Sequence, residues 1–317
     1  MCTAIRIGNF VGRNLDVDRS YGGEIIITPR NYAIEFKMEP TLTKHYAIIG
    51  MGVVEREYPL YFDAANECGL YAAGLNYVGY AKYGCFREEN INLTPYELIL
   101  YVLAKCRTVT DAERVLAEVN LTDIPFSPDL STAELHFFIA DRHRSIVAEP
   151  DQDALHVYDN PTDVLTNNPP FPMQLFNLNN YMSLSPEQPE NNFSKSLSFD
   201  KYSNGMGAIG LPGDLSSTSR FVRAAFHRAN HRGDGLCAIF HLLGSVQMPY
   251  GSVRTDVGCE RTEYTNAIDL DRQIYTYRHY GSLNAYSIKP SQENLDGTSL
   301  IRHKIEKQKE PLFRALL

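Results

Sequence analysis

The order in which apolar patterns follow one another along the chain most restricts its fold. Strand-like segments come first, a helical pair follows, and strands, helices and strands then succeed one another. This grouping favours an α+β fold with mixed sheets and segregated helices over an alternating, doubly wound fold. The strands are expected at CTAIRI, FVGRNLD, EIIITPR, YAIIGMGVV, the second half of NECGLYAAGLNY, LHFFIAD, SIVAEP, LHVYDN, TEYTNAIDL, QIYTYRHY and LNAYSI.

Helical periodicity occurs in separate blocks between the strands. Thr110 is a plausible N-cap for the second block, since threonine side chains accept hydrogen bonds from the first turn of a helix. The helices are expected at Pro95–Cys106, Asp111–Val119, Met173–Leu184, Ser219–Asn230 and Gly235–Val246.

Residues 185–210 are rich in Ser, Asn, Pro and Gly and poor in aliphatic residues. This composition predicts an irregular excursion from the globule or, alternatively, a contact between subunits. The segment GMGAIG at 205–210 fits the dinucleotide pattern G-x-G-x-x-G only weakly, because polar residues precede it and Pro212 follows where a helix would begin. A loop is the better interpretation. The charged tail after Ile301 is expected to be peripheral.

Length and charge limit the possible classes of protein. A chain of 317 residues can form one large domain or two. Its formal net charge of −8 argues against general binding to nucleic acid or to an anionic membrane. No apolar run approaches the roughly 20 residues of a membrane span. Arg6 and Arg13 interrupt the N-terminal segment early, which does not resemble a signal peptide, so we expect a cytoplasmic protein.

The cysteines and histidines do not form a ligand pattern. No C-x-x-C pair occurs, and the nine histidines are dispersed, so we expect no metal, no cofactor and no disulfide framework. Most of the cysteines are expected to be small core residues. Cys2 is set apart by its position. The six are Cys2, Cys68, Cys85, Cys106, Cys237 and Cys259.

The Met1-Cys2 start offers a specific chemistry if Met1 is removed. An N-terminal cysteine carries a nucleophilic thiol and a basic α-amine in one residue. Their ordinary pKa values, about 8.5 and about 7.7–8.0, lie near neutrality, where proton transfer is efficient. A retained methionine would acylate the amine and abolish its function as a base.

Two charged residues follow at a distance that suits this chemistry. A hairpin back from CTAIRI could bring Arg13 and Asp16 beside Cys2. The guanidinium would favour the thiolate, and the carboxylate would orient the amine. By spacing alone, an ordinary surface turn explains the pair equally well.

Blocks of sequence spread over residues 2–290 resemble the choloylglycine hydrolase family, which includes bile salt hydrolases and penicillin V acylases. Their occurrence together, in family order, is very unlikely by chance. The blocks are MCT, GRNLD at 12–16 with ITPR at 27–30, NECGL at 66–70 with AGLN at 73–76, VLTNNP at 164–169, and LPGD at 211–214 with SRF at 219–221.

The resemblance implies a role for each matching residue. Cys2 corresponds to the nucleophile and its amine to the base, with Arg13 and Asp16 beside it. Asn76 and Asn167 correspond to the oxyanion-hole pair. Amide donors of this kind are each worth about 3 kcal/mol of transition-state stabilisation.

The remaining implications concern Arg220 and the fold. Arg220 corresponds to the arginine that completes the site and adds positive potential near the thiolate. The implied fold is the four-layer αββα sandwich of N-terminal nucleophile hydrolases, here one domain over 1–317 with Met1 removed. The resemblance also implies a homotetramer, with 185–210 as an assembly extension.

The expected substrate is a glycine- or taurine-conjugated bile acid. Asn76 favours the bile salt hydrolase branch of the family, since penicillin V acylases often have Tyr at this position. Apolar pocket walls fit a steroid, although core packing explains each of them about equally well. Penicillin V acylase, another N-acyl amide hydrolase or acyltransferase, and a non-catalytic bile-acid or lipid binder are the alternatives. The expected pocket residues are Leu15, Leu60, Tyr61, Phe126, Leu130 and Leu135.

Overall fold

The computed structural model describes residues 1–151 and 154–307, and two large antiparallel sheets form its centre. The strands are β1 (Cys2–Ile7), β2 (Phe10–Val17), β3 (Glu24–Thr28), β4 (Ile48–Glu55), β5 (Tyr58–Asn66), β6 (Tyr71–Asn76), β7 (Ile91–Leu93), β8 (Val119–Leu121), β9 (Leu135–Ala140), β10 (Ser145–Pro150), β11 (Leu155–Asp159), β12 (Val164–Leu165), β13 (Val253–Thr255), β14 (Gly258–Asp269), β15 (Ile274–His279), β16 (Tyr286–Ile288) and β17 (Ile301–Lys304). The helices are α1 (Leu98–Lys105), α2 (Val109–Leu116), α3 (Phe171–Asn177), α4 (Ser217–Asn230) and α5 (Leu236–Gly244).

Strand order defines the two large sheets. The first sheet runs β12-β1-β2-β14-β15-β16, with β13 paired to β14. The second sheet runs β11-β10-β9-β6-β5-β4-β3-β17. A small parallel pair, β7-β8, lies outside both sheets.

Strand alternation explains why the sheets are stacked. Ile25 and Ile27 on β3 face the first sheet, whereas Ile26 between them belongs to the cluster that packs on α1 and α2. Successive side chains of a strand point to opposite faces, so each face needs its own cover. Helices α4 and α5 contact β1 on the other side of the first sheet. The result is helix, sheet, sheet, helix, which confirms the predicted α+β sandwich.

The helices begin and end differently from the sequence prediction. Helix α2 starts after Thr108, not Thr110, because Thr108 and Asp111 form a reciprocal capping box. Helix α1 begins only at Leu98. The predicted helix over 173–184 is wrong in its second half, where α3 changes into a 3-10 turn at Leu178–Tyr181. Asparagines weaken the helix there by bonding to backbone groups, as the Asn179 side chain does to the Phe176 carbonyl.

Residues 185–210 contain no strand and only one 3-10 turn, Met206–Ala208. Gly207 allows this segment to close on itself, since a Cβ there would stand 1.9 Å from the Glu187 carbonyl oxygen. The 205–210 motif is therefore not a strand–turn–helix. The charged tail after Ile301, which was expected to be peripheral, begins as an edge strand, β17, that pairs with β3. Its last ten residues, 308–317, lie outside the described part of the chain.

All six cysteines are free, but the expected burial of most of them is wrong. Cys85 and Cys237 are exposed, and Cys68 and Cys259 are partly exposed, while Cys106 is buried with Cys2. No group of three metal-ligating side chains occurs within 1–151 and 154–307. In the same part of the chain, no helix combines the length and apolar character needed to cross a membrane.

Candidate active site

The hairpin formed by β1 and β2 places Cys2 at the centre of the site. Its register sets Cys2 opposite Leu15 and Ala4 opposite Arg13. Gly8 has a φ of +55° in the connecting turn, a conformation that favours glycine. Successive side chains of β2 point to opposite faces of the first sheet. Arg13 therefore lies on the same face as Cys2, toward the second sheet, and Asp16 lies on the face toward α4.

Arg13 is fully buried and donates from Nη2 to the Cys2 Sγ across 2.7 Å. Its Nη1 donates to the carbonyls of Phe62 and Gly74, each at 2.8 Å, which fixes the guanidinium against the second sheet. Burial by itself lowers the pKa of Arg13, because it disfavours the charged guanidinium. The interactions with Cys2 and other nearby groups are stronger, so the pKa of Arg13 is raised. The thiol therefore faces a fixed cation, which is the environment that activates cysteine nucleophiles.

Asp16 lies on the opposite face, where β2 pairs with β14. Its Oδ1 accepts from the Thr262 hydroxyl at 2.6 Å, and its Oδ2 stands 3.9 Å from Nη1 of Arg220. Burial raises the pKa of Asp16, while Arg220 opposes that change. The Oδ2 is buried and has no hydrogen-bond partner among residues 1–151 and 154–307, so this carboxylate retains one free acceptor beside the N-terminus.

Arg220 comes from the first turns of α4 and reaches the backbone of Cys2. Ser216 caps this helix by accepting from the Ser219 amide. The Nη1 of Arg220 donates to the Cys2 carbonyl and to the Thr3 hydroxyl, both at 2.6 Å. Desolvation lowers the pKa of this buried guanidinium, and Asp16 counteracts the effect.

Asn167 follows β12, whose pairing with β1 brings it to the start of the chain. Its Oδ1 accepts from the backbone N–H of Cys2 at 2.8 Å and from Nη2 of Arg220 at 2.8 Å. Its Nδ2 donates to the backbone carbonyl of Asn76 at 2.8 Å. The second N–H of that amide remains for another acceptor, and the exposed Asn76 side chain ends β6 beside it.

Met1 is present in this structure and occupies the side of Cys2 toward β14. Its ammonium donates to the Asp16 carbonyl at 2.6 Å and to Glu260 Oε1 at 3.1 Å. The nitrogen of Cys2 is therefore a peptide N–H here. Removal of Met1 would turn it into an amine that faces Asn167 Oδ1.

The expected pocket residues fall into separate environments. Leu15 pairs with Cys2, and Leu135 pairs with Asn76, so both border the proposed catalytic residues. Tyr61 instead packs toward α1, and its hydroxyl shares a hydrogen bond with Thr28 at 2.8 Å.

The remaining three expected wall residues also differ in exposure. Leu60 is buried in β5, Phe126 packs against the rings of Tyr58 and Tyr96, and Leu130 is 44% exposed. A substrate-binding role for the six stays a prediction.

Several residues that support the site were not predicted from the sequence. Thr262 holds Asp16, and Glu260 holds the terminal ammonium. Both lie on β14, which pairs with β2 through a bulge between Thr262 and Tyr264. The predicted strand began at Thr262 and did not include Glu260, and its pairing with β2 was not predicted, so no local signal could identify these contacts.

A cysteine that starts the first strand, between two stacked sheets and two helical layers, defines an N-terminal nucleophile hydrolase fold. The C2A mutant of conjugated bile acid hydrolase from Clostridium perfringens has a similar solved structure, with a TM-score of 0.92, 35% identity, and coverage of 97% of this chain and 98% of that one. Penicillin V acylase from Agrobacterium tumefaciens shares the fold at a TM-score of 0.74 and 22% identity, over 95% of this chain and 90% of its own.

The sequence comparisons give the family. The profile described as linear amide C-N hydrolases, choloylglycine hydrolase family, matches residues 2–303. A bile salt hydrolase/transferase from Lactiplantibacillus plantarum is 44% identical over 317 residues, covering 97% of this chain and 98% of the relative. A bile salt hydrolase/transferase from Clostridium perfringens is 36% identical, with coverage of 97% and 98%. The chain belongs to the choloylglycine hydrolase family and is an amide hydrolase.

Proposed function

We propose that the chain hydrolyses the amide bond of glycine- or taurine-conjugated bile acids, with Cys2 as nucleophile after removal of Met1. The observation that carries this proposal is the 2.7 Å contact between Arg13 Nη2 and the Cys2 Sγ in a family of amide hydrolases. The substrate class is supported by the names of two relatives, bile salt hydrolase/transferase, at 44% and 36% identity.

In the acylation step, the Cys2 sulfur bonds to the amide carbon while Arg13 stabilises its negative charge. Amide N–H groups of Asn76 and Asn167 donate to the oxyanion that develops in this step. The C–N bond then breaks, and the proton that left the thiol passes through the Cys2 amine to the departing nitrogen of glycine or taurine. The product of this step is a thioester on Cys2.

Water completes the cycle. The Cys2 amine takes a proton from water as its oxygen bonds to the thioester carbon, and the C–S bond breaks to release the bile acid and the thiolate. Asn167 Oδ1, 2.8 Å from the Cys2 nitrogen, and the unpartnered Asp16 Oδ2 are suited to accept from the freed ammonium. An amine that replaces water would give acyl transfer, which the relatives' names also support.

Incubation of Met1-free protein with glycocholate, taurocholate and phenoxymethylpenicillin tests the proposal, with released amine or acid measured for each. Preferential cleavage of the bile salts is expected, and Cys2→Ala should abolish it. Preferential cleavage of the penicillin would replace the substrate assignment. Saturable binding without cleavage would favour a non-catalytic binder.

The assembly proposal concerns residues 185–210. This segment leaves Phe193 82% exposed and Tyr202 80% exposed, a large apolar surface for one irregular segment. We propose that it is the assembly extension of a homotetramer built from single-domain subunits. A cytoplasmic location stays a prediction.

A further inference from the structure

A buried polar cluster lies behind Arg13, outside the six residues assigned to the site. Its centre is Asp63 on β5, which is fully buried. The carboxylate accepts from the Tyr264 hydroxyl, from the Tyr275 hydroxyl at 2.9 Å and from Asn266 Nδ2 at 2.5 Å. The three donors belong to the first sheet and the carboxylate to the second, so the cluster bridges the two sheets.

The cluster is coupled to Arg13 through the backbone and through charge. Asn266 Oδ1 accepts from the Arg13 backbone N–H at 2.7 Å, while the other end of the same amide donates to Asp63. Phe62, next to Asp63, accepts from the Arg13 guanidinium. Burial raises the pKa of Asp63, and Arg13 together with the three donors acts against that rise.

Arg13 needs a permanent counter-charge because the charge on its other anionic neighbour is temporary. The Cys2 sulfur can be anionic when free, but it is neutral once it carries an acyl group. A buried guanidinium without an anion is strongly unfavourable. Asp16 lies on the other face of β2 and is paired with Arg220, so Asp63 is the carboxylate suited to balance Arg13.

We propose that Asp63 is a positioning residue that acts through Arg13, balancing the buried guanidinium whenever the Cys2 sulfur is uncharged. This inference rests on the proposed role of Cys2 as nucleophile. Asp63 thereby limits how strongly Arg13 favours the thiolate. The charged and titratable groups that face this pair are Cys2 on β1, Tyr71 on β6, Tyr264 on β14 and Tyr275 on β15.

The direction of the effect follows from charge. Without the Asp63 carboxylate, Arg13 would stabilise the Cys2 thiolate more strongly, so the thiolate would persist to lower pH. A thiolate stabilised in this way is a weaker nucleophile and a better leaving group. Acylation should therefore slow, whereas expulsion of the thiolate during deacylation should not.

The test is the pH profile of Cys2 alkylation by iodoacetamide, read from the mass of the Cys2 peptide in Met1-free protein. Asp63→Asn should move the midpoint of the profile down by on the order of one pH unit and lower kcat/KM for glycocholate. Asp163→Asn is the matched control, because Asp163 is a buried carboxylate bonded to Arg6 and Arg228 instead. Its profile should match that of the unmodified sequence.

Tyr264→Phe decides the question if Asp63→Asn does not fold. This change removes one donor, weakens the anionic form of Asp63, and should shift the profile in the same direction by a smaller amount. An unchanged or upward midpoint in the folded variants would overturn the inference. Loss of the proposed function is distinguishable, since it would appear as glycocholate cleavage that survives Cys2→Ala.

Discussion

Asn167 Oδ1 accepts at the same time from the Cys2 backbone nitrogen and from Nη2 of Arg220, each at 2.8 Å. The same guanidinium donates from Nη1 to the Cys2 carbonyl at 2.6 Å. Arg220 therefore holds the first strand by its backbone and also holds the amide that faces its nitrogen. A planar, forked donor can make these contacts together, whereas a single ammonium cannot.

Arg220→Lys should lower kcat for amide hydrolysis about 10- to 100-fold, the loss expected for one or two hydrogen bonds to a charged donor. KM should change little, because Arg220 contacts Cys2 and Asn167 and not the predicted pocket. Steady-state kinetics with glycocholate measures both constants. Arg223→Lys is the matched control, since Arg223 lies on the same helix and donates to the Ser245 and Pro212 carbonyls. Equal losses in both variants would contradict a specific role for Arg220.

Asn76→Ala should lower kcat by about 10²–10³, the range measured when one oxyanion-hole donor is removed. The Asn76 side chain is exposed at the end of β6, so its removal should leave the folded structure intact. Asn168→Ala serves as control, because the Asn168 amide donates to the Val78 carbonyl at 3.2 Å and lies next to Asn167 without a proposed role in the oxyanion hole. A mainly raised KM in Asn76→Ala would assign Asn76 to substrate binding instead.

Contacts within one hairpin could be anticipated from the sequence, but contacts between the two sheets could not. The short spacing from Cys2 to Arg13 and Asp16 made a hairpin contact one of two equally good interpretations, and the β1–β2 pairing shows that the hairpin forms. Thr262 begins a strand whose apolar pattern was recognised, whereas Asp63 lies in β5 (Tyr58–Asn66), a strand that the sequence analysis did not predict. Their partners depend on the stacking of two sheets and on a bulge in β14, and neither has a local sequence signal.

Phe193→Ser should dissociate the proposed tetramer into smaller species at micromolar protein concentration. Phe193 is 82% exposed and packs edge-on against Phe199, so its loss would remove apolar surface without opening the core. Sedimentation velocity measures the change in mass. Val257→Ser is the control, because Val257 is 83% exposed on the β13–β14 hairpin. A monomeric unmodified protein would refute the assembly proposal outright.

Glu263→Gln should destabilise the fold near neutral pH but not in strong acid. The His279 hydrogen bond, together with Ser20 and Arg261, lowers the pKa of Glu263 to about 2, against the opposing effect of burial. A depressed pKa contributes stability above the unfolded-state value, about 4.5, and this contribution is lost as the pH falls through about 2. The variant should therefore lose on the order of 3 kcal/mol of unfolding free energy at pH 7 and progressively less below pH 4.

Urea unfolding of both proteins at pH 7, 4 and 3 measures this difference, and the pH dependence separates it from a packing defect. A packing defect would cost the same free energy at every pH, whereas the charge interaction disappears once the carboxyl is protonated in both states. Glu293→Gln is the control, because the Glu293–His303 pair is 30% and 35% exposed and a solvated pair contributes about 0–1 kcal/mol. A constant loss in Glu263→Gln across the three pH values would mean that shape, and not charge, makes Glu263 stabilising.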